Sequence, residues 1–199
     1  MFKRAFDIVF SAGWLIGFSP LLLVVAILVR LKLGSPVLFI QERPGHRAKP
    51  FRMVKFRTMT DERGSDGELL PDEQRLTSFG KFLRSSTLDE FPEMWNVLVG
   101  DMSVVGPRPL LMRYVSRYSP FQARRMEVKP GVTGWAQVNG RNSLTWEEKF
   151  ALDVWYVDHR SFWLDMRIVV MTFFRVFART GIDARDGGAV EEFWGKEKN

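Results

Sequence analysis

Residues 8–29 form an unbroken run of 22 uncharged, mostly apolar positions, with Lys3 and Arg4 before it and Arg30 and Lys32 after it. As a single helix at ~1.5 Å per residue it reaches roughly 33 Å, against a hydrocarbon core of ~30 Å. Ser19-Pro20 sits near its middle. Proline lacks an N–H and clashes with the preceding turn, so the run is expected to kink there, with Ser19 as candidate donor to the freed carbonyl. Each half then covers about half a bilayer at ~1.5 Å per residue. Basic residues flank both ends, and the preference of cations for the cytoplasmic side pulls both ends the same way. A kinked single crossing fits the same residues, so spanning and re-entrant topologies both stand at this point. A cleaved signal peptide fits less well, because no small-residue cleavage site follows the run.

A second apolar periodicity lies at residues 162–179. On a helical projection Arg167, Arg175 and Arg179 share one side, while Trp163, Val169, Val170, Phe173, Phe174, Val176 and Phe177 fill the other. Such a helix either faces a core or lies in a membrane interface. Residues 37–40 and 51–56 are short apolar patches around Pro44-Gly45 and predict a hairpin. Residues 61–75 hold six acids, two arginines, two glycines and a proline, the makings of a solvated loop over a site. Short helices are expected at 76–88 and 91–99, two more between 110 and 128 broken at Ser119-Pro120, and one at 145–158. Residues 129–143 read as loop, and the polar tail after Gly181 as frayed. The expected fold is α+β and mainly helical, with no large sheet. The expected division is a membrane helix at 1–33, a catalytic domain at 34–182 and a polar tail at 183–199.

Composition narrows the chemistry. The chain has no cysteine and only two histidines, which excludes disulfide frameworks, thiolate metal sites and cysteine nucleophiles. The formal net charge is +6. Its excess is concentrated in residues 1–60, with ten Lys/Arg against two Asp/Glu. Positive charge beside an apolar run points to anionic lipid more than to nucleic acid. Walker A, G-x-G-x-x-G, G-x-S-x-G and H-E-x-x-H patterns are absent, as is Asp-x-Asp.

Asp89-Glu90 precede Phe91-Pro92, and proline belongs in the first turn of a helix. The plain reading makes Asp89 an N-cap, or Thr87 and Glu90 a capping box. The functional reading is a carboxylate pair at a helix start that holds Mg²⁺ beside a phosphate, or a nucleophile that attacks phosphorus. Arg108, between Pro107 and Pro109, and Arg141, in Asn139-Gly140-Arg141-Asn142, are either surface-turn cations or phosphate clamps. Lys55 and Arg57 alternate with apolar residues and would give a strand a cationic face.

Four segments occur in order: Lys55-Phe56-Arg57-Thr58-Met59, Leu88-Asp89-Glu90-Phe91-Pro92 running on to Asn96-Val97-Leu98, residues 100–109 around Gly106-Pro107-Arg108-Pro109, and residues 129–142 around Gly134-Trp135-Ala136-Gln137. Together with the apolar run the chain resembles the monotopic bacterial phosphoglycosyl transferases, the bacterial sugar transferase family, over about residues 1–182. The resemblance implies transfer of a sugar-1-phosphate from a UDP-sugar to polyprenol (undecaprenyl) phosphate at the cytoplasmic face of the bacterial inner membrane, with release of UMP. It implies Asp89 as nucleophile through a covalent aspartyl phosphosugar, and Glu90 as its aid in proton handling or in holding Mg²⁺, with both as candidate metal ligands. It implies Lys55, Arg84, Arg108 and Arg141 as substrate-binding residues, and a re-entrant helix broken at Ser19-Pro20. The alternative from a different class is a membrane-anchored scaffold in which Asp89 only caps a helix.

Overall fold

The computed structural model describes residues 2–140, 144–178 and 192–195. Helix α1 (Phe2–Gly17) and helix α2 (Ser19–Lys32) meet at Phe18 and are bent by 63°. The physical cause is the one expected. Pro20 cannot serve the carbonyl of Ile16, and the Ser19 hydroxyl donates to that oxygen instead, at 2.7 Å. Among the described residues no single helix is long and apolar enough to cross a membrane; only the bent pair together has the length and composition. Both helices leave large apolar side chains exposed, among them Val9, Ile16, Leu23, Val24 and Leu31.

Polar contacts fix α1 to the rest of the molecule. Asp7 is buried, and its carboxylate accepts from the Ser103 hydroxyl at 3.0 Å and the Val104 N–H at 2.9 Å. Arg4 donates to the carbonyls of Val97 and Leu98, and Lys3 pairs with Asp165. Two cations that the charge pattern assigned to lipid headgroups are thus engaged by protein groups. Arg30 remains exposed, and so does Lys32, whose ammonium lies over the Phe79 ring.

Strands β1 (Leu38–Pro44) and β2 (Pro50–Phe56) form the expected antiparallel hairpin, Leu38 opposite Phe56 and Pro44 opposite Pro50. The following loop contains one short helix, α3 (Asp72–Arg75). Helix α4 (Ser78–Ser85) starts where the Thr77 side chain accepts from the Gly80 N–H. Gly80 is required by proximity, since a Cβ there would lie 1.9 Å from the Thr58 carbonyl oxygen. Then come helix α5 (Glu93–Val99), strand β3 (Ser103–Val105), a 3-10 segment at Met112–Arg117 and helix α6 (Pro120–Ala123). The Ser119-Pro120 break is a full capping box between Ser119 and Gln122.

Of the loop expected at 129–143, residues 141–143 lie outside the described residues, and 129–140 depart from it. They contain strand β4 (Gly131–Thr133) and helix α7 (Trp135–Val138). β4 pairs in parallel with β3, Ser103 opposite Gly131 and Val105 opposite Thr133. Three-residue strands carry no alternation to read. This pairing rests instead on close backbone approach, for a Cβ on Gly131 would lie 2.0 Å from the Gly106 nitrogen. Helices α8 (Trp146–His159) and α9 (Phe162–Ala178) complete the fold. On α9, Asp165 and Ile168 are buried and the Thr172 hydroxyl meets that of Thr133, while Trp163, Val170, Phe173 and Phe174 stay exposed. Of the tail expected to fray, residues 182–191 and 196–199 lie outside the described residues; within 192–195, Phe193 is only 3% exposed.

Three apolar clusters organise the interior among the described residues, one of them Tyr114, Phe150 and Phe193; the other two engage the bent pair. Met94, Val97, Met102, Val105, Tyr156 and Ile168 form one, with Phe6, Phe10 and Trp14 of α1 packed against it. Val25 and Val29 of α2 and Leu33 just after it form the second of these, with Phe56 and Leu83. The bent pair is therefore built into the domain along both of its arms. Residues 34–60 and 76–100 are held against it.

Candidate active site

Thr87 ends the α4 segment with φ 57°, a left-handed conformation that strains a β-branched residue. The chain turns sharply there into a 3-10 turn, Leu88–Glu90, before α5. Asp89 makes no capping hydrogen bond, and the Thr87 hydroxyl donates to the Ser86 carbonyl, so neither capping arrangement expected from the sequence forms. Asn96, one turn inside α5, locks this helix to β2: its amide donates to the Arg52 carbonyl and its oxygen accepts from the Val54 N–H. Lys55 is thereby set opposite the start of α5. Phe91 packs edge-on against Trp14 and Phe18, with ring centroids at 5.0 and 5.6 Å. The carboxylate turn consequently lies beside the bend between α1 and α2.

A cleft of about 600 Å³ opens over this turn. Lys55, Arg84, Asp89, Glu90 and Arg108, five of the six residues singled out from the sequence, line it together. Arg141 lies outside the described residues. Asp61, Asp72 and Arg75 show that the acidic loop does border the site. Arg43, Arg125, Trp146, Lys149 and Asp153 also line the cleft and were missed. Arg43 follows the strand alternation and precedes Pro44-Gly45, but its burial arises only when distant segments meet.

The carboxylates are in unlike environments. Glu90 accepts from Lys55 at 2.9 Å and from both terminal nitrogens of Arg108. Burial alone would raise its pKa, but Arg108 and Lys55 outweigh that and hold it well below the usual range. Asp89 is buried, with no hydrogen bond to its carboxylate among the described residues. Burial, then the charge of Glu90, pushes it up to about 6 against the pull of Lys55, Arg108 and Arg84. Glu93 lies 3.0 Å from the Lys55 ammonium and is pushed up to about 7 by burial and by Glu90.

The cations divide in the same way. Arg108 and Lys55 are tied to Glu90, and Arg125 is tied to Asp153 at 2.7 Å. Arg84, Arg43 and Lys149 line the cleft with no carboxylate partner among the described residues. Arg84 donates to the Thr58 hydroxyl and Arg43 to the Gln41 side chain, while Lys149 sits over the Trp146 ring. The Arg43 Nε is buried with no hydrogen-bond partner. Burial and the neighbouring Arg108 charge lower the Arg43 pKa to about 10. A cleft with spare guanidinium groups and one unengaged carboxylate is suited to a polyanionic substrate and attack at one of its phosphorus atoms.

A family model described as bacterial sugar transferase matches residues 1–179. The chain belongs to that family. It is 54% identical to the uncharacterized sugar transferase EpsL of Bacillus subtilis (strain 168), over 97% of this chain and 96% of the relative. It is 41% identical to the UDP-glucose:undecaprenyl-phosphate glucose-1-phosphate transferase of Klebsiella pneumoniae, over 89% of this chain but only 40% of that protein. It is 37% identical to a UDP-N-acetylgalactosamine-undecaprenyl-phosphate N-acetylgalactosaminephosphotransferase of Aeromonas hydrophila, over 92% of this chain and 45% of the relative. Sugar transferase relatives of differing donor thus share the stretch that builds this cleft.

A carboxylate pair does not make a metal cage here. No cluster of three or more ligating side chains occurs among the described residues, and both oxygens of Glu90 are already engaged by cations. Of the pair, only Asp89 has carboxylate oxygens that accept no hydrogen bond among the described residues. Magnesium commonly takes one or two carboxylates and completes its shell with water and substrate phosphates, so the donor set fits an ion that arrives with a diphosphate.

Proposed function

We propose that this chain transfers a sugar-1-phosphate from a UDP-sugar to polyprenol phosphate, undecaprenyl phosphate in bacteria, and releases UMP. The observation that carries the reading is the asymmetry of the pair: Glu90 saturated by Lys55 and Arg108, Asp89 unengaged in the same cleft. An Asp89 oxygen attacks the phosphorus that bears the sugar. The bond from that phosphorus to the bridging oxygen breaks, and UMP leaves with the oxygen and its electron pair. The polyprenol phosphate oxygen then attacks the same phosphorus, and the aspartyl bond breaks to restore the carboxylate. Glu90 does not compete, because two cations hold its electron density. Its role is to fix Lys55 and Arg108 beside the reacting phosphoryl group. Arg84 and Arg43 meet the charges of the diphosphate. Mg²⁺, held by Asp89 with the diphosphate, would neutralise charge on the leaving UMP.

The position of the site suits substrates from two phases. The α1–α2 pair would enter the cytoplasmic leaflet and return, with the exposed aromatic face of α9 lying in the interface. Phe91 then holds Asp89 at the level of the bend, where a lipid phosphate and a soluble nucleotide meet. The scaffold alternative loses its main support, since Asp89 makes no capping bond. The test is UMP release from a panel of UDP-sugars with polyprenol phosphate and Mg²⁺. Multiple-turnover release that needs the lipid phosphate and is lost in Asp89→Asn supports the transferase. Folded protein that releases no UMP from any donor contradicts it.

A further inference from the structure

We infer that the C-terminal residues 192–195 are a latch that sets the wall of the donor pocket, and that Phe193 is a positioning residue for donor binding. The observations stand apart from the carboxylate pair. Phe193 is 3% exposed, packed edge-on against Phe150 at 5.0 Å and tilted against Trp146 at 5.5 Å. Both of those rings line the cleft. The segment is fastened from outside as well: Glu192 pairs with Arg113 and Arg117, Arg117 donates to the Phe193 carbonyl, and its guanidinium lies over the Trp194 ring at 4.8 Å.

A continuous set of contacts leads from the latch to the chemistry. The Arg125 guanidinium lies over the Phe150 ring at 5.5 Å, is fixed by Asp153, and donates to the Arg108 carbonyl at 2.7 Å. Arg108 in turn holds Glu90. Packed side chains of this kind transmit displacement because interiors are close-packed. Removing Phe193 takes one ring out of the aromatic set that backs Phe150 and Trp146 and loosens the wall that carries Arg125. The lipid substrate approaches from the α1–α2 side, where Phe193 makes no contact. The latch therefore bears on the nucleotide sugar.

This inference rests on the proposed transfer reaction, so its test includes a binding readout. Titration calorimetry with UDP, and steady-state KM for each substrate, are compared between the intact chain and Phe193→Ala. The expected result is a roughly tenfold weaker UDP affinity and a matching rise in donor KM, with the lipid-phosphate KM unchanged. Phe193→Leu, which keeps an apolar body, should restore most of the affinity. Glu192→Gln loosens the latch without opening a cavity, and should shift donor KM the same way by less even if Phe193→Ala fails to fold. Unchanged UDP affinity in folded Phe193→Ala overturns the latch and leaves the transferase standing. An equal change in both KM values also overturns it, since a general loss of structure would do that. Intact chain that binds UDP but releases no UMP contradicts the transfer reading, and the latch is then judged on UDP affinity alone.

Discussion

Arg125 and Arg84 line the same cleft and are opposite in kind. Arg125 is buried against an equally buried Asp153, donates to it through two nitrogens, and spends a further bond on the Arg108 carbonyl. Arg84 has a threonine hydroxyl and, among the described residues, no carboxylate. The first guanidinium is part of the frame, its charge cancelled at home. The second keeps a net charge turned toward Asp89, whose pKa it helps to lower. The lesson is that counting arginines in a cleft overstates its capacity for anions; the count that matters is of cations whose charge no carboxylate has taken.

That contrast can be broken most severely on the frame side. Arg125→Leu leaves Asp153 buried without its partner and should cost about 3–5 kcal/mol in denaturant unfolding. Adding Asp153→Leu should recover most of that loss, as removing both charges of a buried pair often does. Arg84→Gln should leave unfolding almost unchanged and lower donor kcat/KM by roughly 10- to 100-fold, the value of a charge-assisted phosphate contact of about 1.5–3 kcal/mol. If Arg84→Gln unfolds the protein as Arg125→Leu does, the division between frame and free cations fails.

The carboxylates sharpen the same contrast through pH. Glu93 is an acid whose folded pKa, about 7, exceeds its ordinary value of 4.5. The folded state holds its proton more tightly, so this group takes stability away as pH rises between those two values. Glu93→Gln should therefore unfold at higher denaturant than the parent at pH 8, by on the order of 1–2 kcal/mol, with the gain fading by pH 5. Glu90 has the opposite sign: its depressed pKa gives stability that is lost only in strong acid. Activity should rise as pH passes about 6, where Asp89 becomes ionised. The smallest effect concerns the backbone. Thr87→Asn, better tolerated at φ 57°, should stabilise by no more than about 1 kcal/mol.

Legibility in the sequence followed the range of the forces involved. The break at Ser19-Pro20, the hairpin around Pro44-Gly45 and the break at Ser119-Pro120 depend on neighbouring residues, and all were readable; the capping box at that last break was not singled out. Asp89, Glu90, Lys55, Arg84 and Arg108 were identified through motifs and do share one cleft. Which cation is spent on which carboxylate was not readable, because it is set by β2 meeting α5. The β3–β4 pair was hidden because its signal is the absence of side chains at Gly106 and Gly131, not an apolar alternation. Phe193 was lost in a polar tail, where a lone aromatic has no periodicity to announce it.

The central claim is that Asp89 becomes covalently bonded to the phosphosugar. The most direct measurement is intact-protein mass after mixing the chain with its UDP-sugar and Mg²⁺ in the absence of any lipid phosphate, with UMP counted in parallel. The account predicts a stoichiometric burst of UMP and a mass gain of one sugar phosphate, both absent in Asp89→Asn. A mass gain that persists in Asp89→Asn, or UMP that forms only once polyprenol phosphate is added, would contradict it.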